Sequence, residues 1–274
     1  MVELKRDMAV SPPGGTVSSA EVAAIDAGLR AYMLRIYNYM ALGLAVTGVA
    51  AFGIYLVSVT GDTAAAAKIA RGGTELPARL ANNLYLTPLG YAVLVSPLKW
   101  AVILAPLGLV FGISFAIDRL RPATAQLLFW IYAALVGLSL GSIFLVYTQT
   151  SVVRVFFITA ASFAALSLWG YTARRDLTGI GSFLMMGLFG IIVAGVVNMF
   201  LASSALQWII SVLGVLVFAG LTAWDAQRLK NEYIYGAMDG EAVERSAIMG
   251  ALSLYLDFIN LFAVLLQFLG EREE

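Results

Sequence analysis

The 274-residue sequence has no cysteine and no histidine. Without them a disulfide framework, a thiolate or imidazole metal site, a histidine triad and a histidine pH switch are all excluded. Any titration near neutrality has to come from carboxylates. Charge is also scarce, since Asp, Glu, Lys and Arg make up 12% of the chain, against about 25% in an ordinary soluble domain. The 17 basic residues balance the 17 acidic ones, and no basic patch is interleaved with aromatics, so nucleic acid is not an expected partner. No glycine-rich phosphate loop is present, so ATP-driven pumping is not expected, and no cofactor is expected. What is plentiful is apolar, at 61% of residues. The few charges gather in short clusters separated by uncharged stretches of about 20 residues, the length that crosses a bilayer as a helix. The expected fold class is an all-α membrane protein, a seven-transmembrane helical bundle in contact with membrane lipid.

Residues 1–30 are polar and carry Ser11-Pro12-Pro13-Gly14-Gly15, the composition of a flexible tail outside the membrane. Residues 31–274 are expected to form one transmembrane domain, with spans at about 36–60, 100–117, 123–147, 152–173, 178–199, 206–230 and 246–270. The first run starts too late and is too long for a cleavable signal peptide. The long 61–99 loop has apolar stretches too short to span and is expected outside the membrane, with one interfacial element. Pro122 suits the first turn of the third span. From Leu177 to Trp224 there is no charge, too long a stretch for one span, and the polar interruption between Asn198 and Gln207 divides it.

Short loops rich in Lys and Arg stay cytoplasmic. Lys5, Arg6 and Arg30 precede the first span, and Arg119, Arg121, Arg174, Arg175, Arg228, Lys230 and Arg245 fall in the 2–3, 4–5 and 6–7 loops. The expected orientation has the N-terminus in the cytoplasm and the C-terminus outside. Lys68, Arg71, Arg79 and Lys99 oppose this, but they lie in a long loop, which weighs less. Small residues spaced for close helix packing recur as Gly108/Gly112 and Gly137/Gly141, and they support a bundle.

Asp257 has about ten uncharged residues on either side, which puts it roughly 15 Å from each end of its helix, near mid-membrane. A carboxylate there costs about 2.5–3.5 kcal/mol on insertion scales, so it should face the bundle interior or water. On a helix, Ser246, Gly250, Ser253, Asp257, Asn260 and Gln267 fall at steps of three and four and form one narrow polar stripe. Asp225 ends the sixth span, with Thr222 one turn before it and Arg228 one turn after, and Arg228 offers a simple local ion pair. Two carboxylates sharing one site cannot both ionise cheaply, so a pair of them senses protons without histidine. In depth, Asp225 lies nearer the cytoplasmic surface than Asp257 by about 5–10 Å. Contact requires the sixth helix to continue to about Glu232 with Arg228 and Lys230 snorkelling, or a water-filled cytoplasmic funnel.

The stretches Phe218-Ala-Gly-Leu-Thr-Ala-Trp-Asp-Ala-Gln-Arg-Leu-Lys230 and Ala251-Leu-Ser-Leu-Tyr-Leu-Asp-Phe-Ile-Asn-Leu-Phe262 resemble the Bax-inhibitor-one family, the transmembrane Bax inhibitor motif proteins that include the bacterial YccA/YetJ-type branch. The resemblance runs from about residue 34 to the C-terminus. It implies a central C-terminal seventh helix wrapped by six others, in a bacterial inner (plasma) membrane. It also implies a pH-dependent calcium leak governed by paired aspartates in the sixth and seventh spans, and Asp225 and Asp257 occupy those motif positions. A basic residue at the cytoplasmic end of the second span latches onto the pair in the family picture. Arg119 is the match here, although the neighbouring Asp118 departs from a more basic pattern.

The leading expectation is a passive, pH-sensitive calcium pathway, with Asp225, Asp257, Arg119, Ser253 and Asn260 as the pH-sensing and pathway residues. Calcium takes 6–8 oxygen ligands, and Asp225 and Asp257 would ligate it transiently as a permeant ion. An intramembrane aspartyl protease also uses two aspartates, but Leu254-Tyr255-Leu256 stands before Asp257 where such enzymes resemble one another in Gly-x-Gly, so no enzyme is expected. Proton-coupled transport is weakened by the lack of a convincing inverted repeat or paired broken helices. The alternative is a membrane regulator that binds other membrane proteins, in stress or protease modulation, without conducting ions.

Overall fold

The computed structural model describes residues 19–71, 74–81, 84–236 and 240–273. Among these, the order is α1 (Ser19–Ser58), β1 (Val59–Thr60), β2 (Lys68–Arg71), β3 (Thr74–Pro77), β4 (Arg79–Ala81), β5 (Leu84–Leu86), α2 (Pro88–Leu94), α3 (Leu98–Ala116), α4 (Pro122–Leu140), α5 (Gln149–Thr172), α6 (Thr178–Leu201), α7 (Ser204–Tyr235) and α8 (Gly240–Leu269). Short 3-10 turns follow α3 at Ile117–Arg119 and α4 at Gly141–Leu145. Seven helices, α1 and α3 to α8, are long and apolar enough to cross a membrane, and they form the seven-transmembrane bundle.

The helix ends follow local chemistry. Pro122 opens α4 in the first turn, where its missing N–H has no helical partner to lose. The Thr148 and Ser203 hydroxyls accept backbone N–H bonds at the starts of α5 and α7. The break between α6 and α7 is built by Asn198, whose side-chain oxygen accepts the Ser203 N–H at 3.0 Å. Ala202 turns the chain in a left-handed conformation at φ 48°. At the exposed start of α6, the Thr178 hydroxyl and N–H both donate to Asp176, and these bonds hold its carboxyl below the usual carboxylate range.

Two boundaries differ from the sequence reading. Residues 1–18 of the expected tail lie outside the described residues, but residues 19–30 are helical and lengthen α1. The 61–99 loop, read with one interfacial element, holds α2 and, together with β1 just before it, two small antiparallel sheets of order β1-β5-β4 and β2-β3. Lys68 pairs with Pro77 and Arg71 with Thr74 across β2 and β3. Strands of two to four residues are too short for hydrophobic periodicity to register.

α8 is the central helix. It packs against α7, α1, α5 and α4, and 61% of its most apolar stretch is buried, against 6% for α6. Tyr255 on α8 is fully buried. Its hydroxyl meets that of Thr47 on α1 at 2.6 Å, and its ring takes edge-on contacts from Phe129 and Tyr132 on α4. Phe115 and Phe200, each 86% exposed, face outward, as side chains do where hydrocarbon is the solvent. Gly137 brings α4 onto α1, because a Cβ there would lie 2.5 Å from the Thr47 carbonyl oxygen, and Gly141 abuts Ile54. Gly108 and Gly112 have nothing within 4 Å, so this pair, of identical spacing, lies on an open face of α3.

Candidate functional site

α7 and α8 are joined by a short connection and pack along one another, so they run antiparallel. Counting along the helices, Asp225 lies roughly 15 Å from the last residue of α7 and Asp257 roughly 25 Å from the first of α8. The backbone mismatch in depth is therefore about 10 Å. A helical side chain leans towards the N-terminus of its own helix. On antiparallel helices this carries Asp225 deeper and Asp257 shallower, which narrows the gap. The carboxyl of Asp257 lies close enough to that of Asp225 for the two to interact electrostatically. The continuation of α7 to Tyr235 keeps Asp225 helical and well inside the bundle.

Both residues are only 6% exposed. Ser253, one turn before Asp257, stands level with Asp225; its hydroxyl donates to Asp225 Oδ2 at 2.5 Å and accepts from Arg228 Nη2 at 3.0 Å. The same guanidinium nitrogen lies 2.9 Å from Asp225 Oδ1, an ion pair without an aligned hydrogen bond, since Oδ1 has no hydrogen-bond donor among the described residues. Asp257 Oδ2 likewise has none. Arg228 also stacks over the Trp224 ring at 5.0 Å. Two carboxyls therefore face one cation whose side chain is 44% exposed.

The surrounding motif fixes this geometry. Trp224 fills the space left by Gly181 on α6. Gln227 accepts the Leu177 N–H at 2.7 Å and donates to the Arg175 carbonyl at 2.9 Å, clamping the α5–α6 connection onto α7. Lys230 reaches the Tyr171 carbonyl at 3.1 Å, and buried Thr222 donates to Phe218 O. Towards the helix connection, Ser246 donates to Glu232 at 2.7 Å and meets the Tyr32 hydroxyl at 2.7 Å, so α1, α7 and α8 are tied one level below the aspartates.

Of the residues read from sequence, Asp225, Asp257 and Ser253 come together. Asn260 is half-buried on the same stripe, with no hydrogen bond to another described residue. Arg119 lies in the 3-10 turn after α3 and is exposed; the cation on Asp225 is Arg228. The (i, i+3) spacing did point to Arg228, whereas the Glu232–Ser246–Tyr32 tie joins residues far apart in the chain and leaves no local signal. A cavity of about 290 Å³ between α3, α7 and α8, lined by Val110, Ser114, Arg228, Glu232, Ser253 and Leu256 among others, ends at the two groups that contact Asp225. No cluster of three or more acidic side chains able to hold a metal occurs among the described residues. Two carboxyls and a hydroxyl offer at most about five oxygens, fewer than the 6–8 that calcium usually takes.

A family model described as "Inhibitor of apoptosis-promoting Bax1" matches residues 29–274. The chain is 43% identical over 249 residues to a protein of Rickettsia prowazekii, covering 91% of this chain and 93% of that one. It is 45% identical over 251 residues to a protein of Caulobacter vibrioides, covering 92% of each. It is also 40% identical over 248 residues to the inner membrane protein YbhL of Escherichia coli K12, covering 90% of this chain and 94% of that one.

Proposed function

The chain belongs to the Bax1-inhibitor family, and from that premise we propose that it is a pH-sensitive calcium-leak channel of the YccA/YetJ-like branch, gated by Asp225 and Asp257. The family is described by inhibition and not by a reaction, in keeping with a non-enzymatic protein. The bacterial inner membrane is the proposed location, supported by the name of the YbhL relative. The distribution of Lys and Arg supports a cytoplasmic N-terminus and an external C-terminus.

The observation that supports this reading is the proximity of two buried carboxyls on adjacent helices, beside one half-exposed cation. With a proton between them, the carboxyls hydrogen-bond to each other and hold α7 against α8. With both ionised, two like charges share a site of low dielectric, where repulsion is strong and only Arg228 offsets it. The site then either separates or recruits a cation, and calcium with its preference for carboxylate oxygens is the fitting one. The small cavity leading to Arg228 and Ser253 supplies the approach. Protons and calcium thus compete for the same oxygens.

Liposomes containing the purified chain and a calcium-sensitive dye test the proposal. Calcium should leak faster than in protein-free vesicles, at a rate that changes with pH. Leak no faster than in protein-free vesicles, together with capture of other membrane proteins that survives Asp257→Asn, would instead make the chain a non-conducting regulator.

A further inference from the structure

A second cavity lies away from the aspartates. It is a groove of about 1170 Å³ between α1 and α5, floored by Phe258, Ile259 and Phe262 of the central helix. We propose that this groove seats a phospholipid, with its phosphate at Arg30 and its acyl chains lying against α8.

The mouth of the groove opens sideways between apolar side chains that face outward, including Leu34 at 56% exposure, Phe157 at 66% and Leu168 at 63%. Its entrance is therefore in hydrocarbon, so the occupant comes from the bilayer. Arg30 is the one charged residue on the lining, at the N-terminal end of α1's share of it. Arg30 is exposed and has no ion pair with another described residue. A cation at one end of a channel whose other lining residues are uncharged and mostly apolar complements a molecule with a phosphate at one end and hydrocarbon for the rest. The shape also selects against a partner helix. The Tyr37 hydroxyl meets Ser167 Oγ at 2.5 Å, bridging the two walls roughly 10 Å further along α1 than Arg30. A rigid helix about 10–12 Å across cannot seat on the floor past that bridge, whereas a flexible acyl chain passes it.

This inference is independent of the calcium pathway. The test uses the full chain in nanodiscs containing phosphatidylglycerol with a photoreactive group on its acyl chain. Label is expected on Phe258, Ile259 and Phe262 of α8, which floor the groove, as well as on the outward face of α6. Ala41→Trp combined with Ala164→Trp fills the groove and should remove the α8 label while sparing that on α6, which reports a folded bundle. Arg30→Gln, an exposed change that disturbs no packing, should weaken retention of phosphatidylglycerol about fivefold in native mass spectrometry. Label confined to α6 in the parent chain, or an α8 label unchanged by the tryptophans, would overturn the proposal. So would retention unaffected by Arg30→Gln, or a polypeptide cross-linked in the groove in place of lipid.

Discussion

Gly170→Leu is expected to abolish the stable bundle. A Cβ at position 170 of α5 would clash with the carbonyl oxygen of Ala223 on α7, and lie 2.7 Å from its carbonyl carbon and 2.8 Å from its Cα. All three are backbone atoms, so no rotamer change relieves the overlap and the helices have to part. Overpacking a core costs about 1–3 kcal/mol where side chains can adjust, and more where they cannot, so a loss above roughly 3 kcal/mol is expected. Ala223 lies two residues before Asp225, and the same displacement moves the carboxyl away from Ser253. Thermal unfolding in detergent checks this, with Gly170→Ala falling between the parent and leucine. A leucine variant that unfolds at the parent temperature would show that α5 and α7 do not meet at this point.

Arg228→Met should destabilise the chain by about 2 kcal/mol. Removing one partner of a buried ion pair costs about 3–5 kcal/mol because the other charge is left uncompensated, and the 44% exposure of Arg228 reduces that figure through solvent screening. Asp225→Asn in the same chain removes the stranded charge and should restore most of the loss. Unfolding of the two single variants and the double one gives the coupling directly. Simple additivity would mean that the 2.9 Å contact contributes nothing to the fold.

The seven spans and the anomaly of Asp257 were legible in the sequence because both depend on one quantity, the length of chain without charge. The continuation of α7 was legible only as a condition for the two aspartates to come close, and the antiparallel lean of their side chains narrows the remaining distance. Gly108/Gly112 and Gly137/Gly141 share a spacing but not an environment. Lipid is as apolar as a packed leucine, so hydropathy does not separate a face that meets a helix from one that meets the bilayer. For the same reason the α1–α5 groove left no trace in the sequence. Arg119 was carried over from a family pattern, whereas Arg228 follows from helical spacing and is the cation found beside Asp225.

Asp257→Asn in calcium-loaded liposomes tests the carboxylate pair most directly. Asparagine has the shape of a protonated aspartate and cannot ionise, so the variant holds the pair in the state the parent reaches in acid. Its calcium flux at every pH should match the acid limit of the parent, varying by no more than about twofold between about pH 6 and about pH 8 while the parent's flux changes several-fold. An asparagine variant that keeps the parent's full pH dependence would contradict the account.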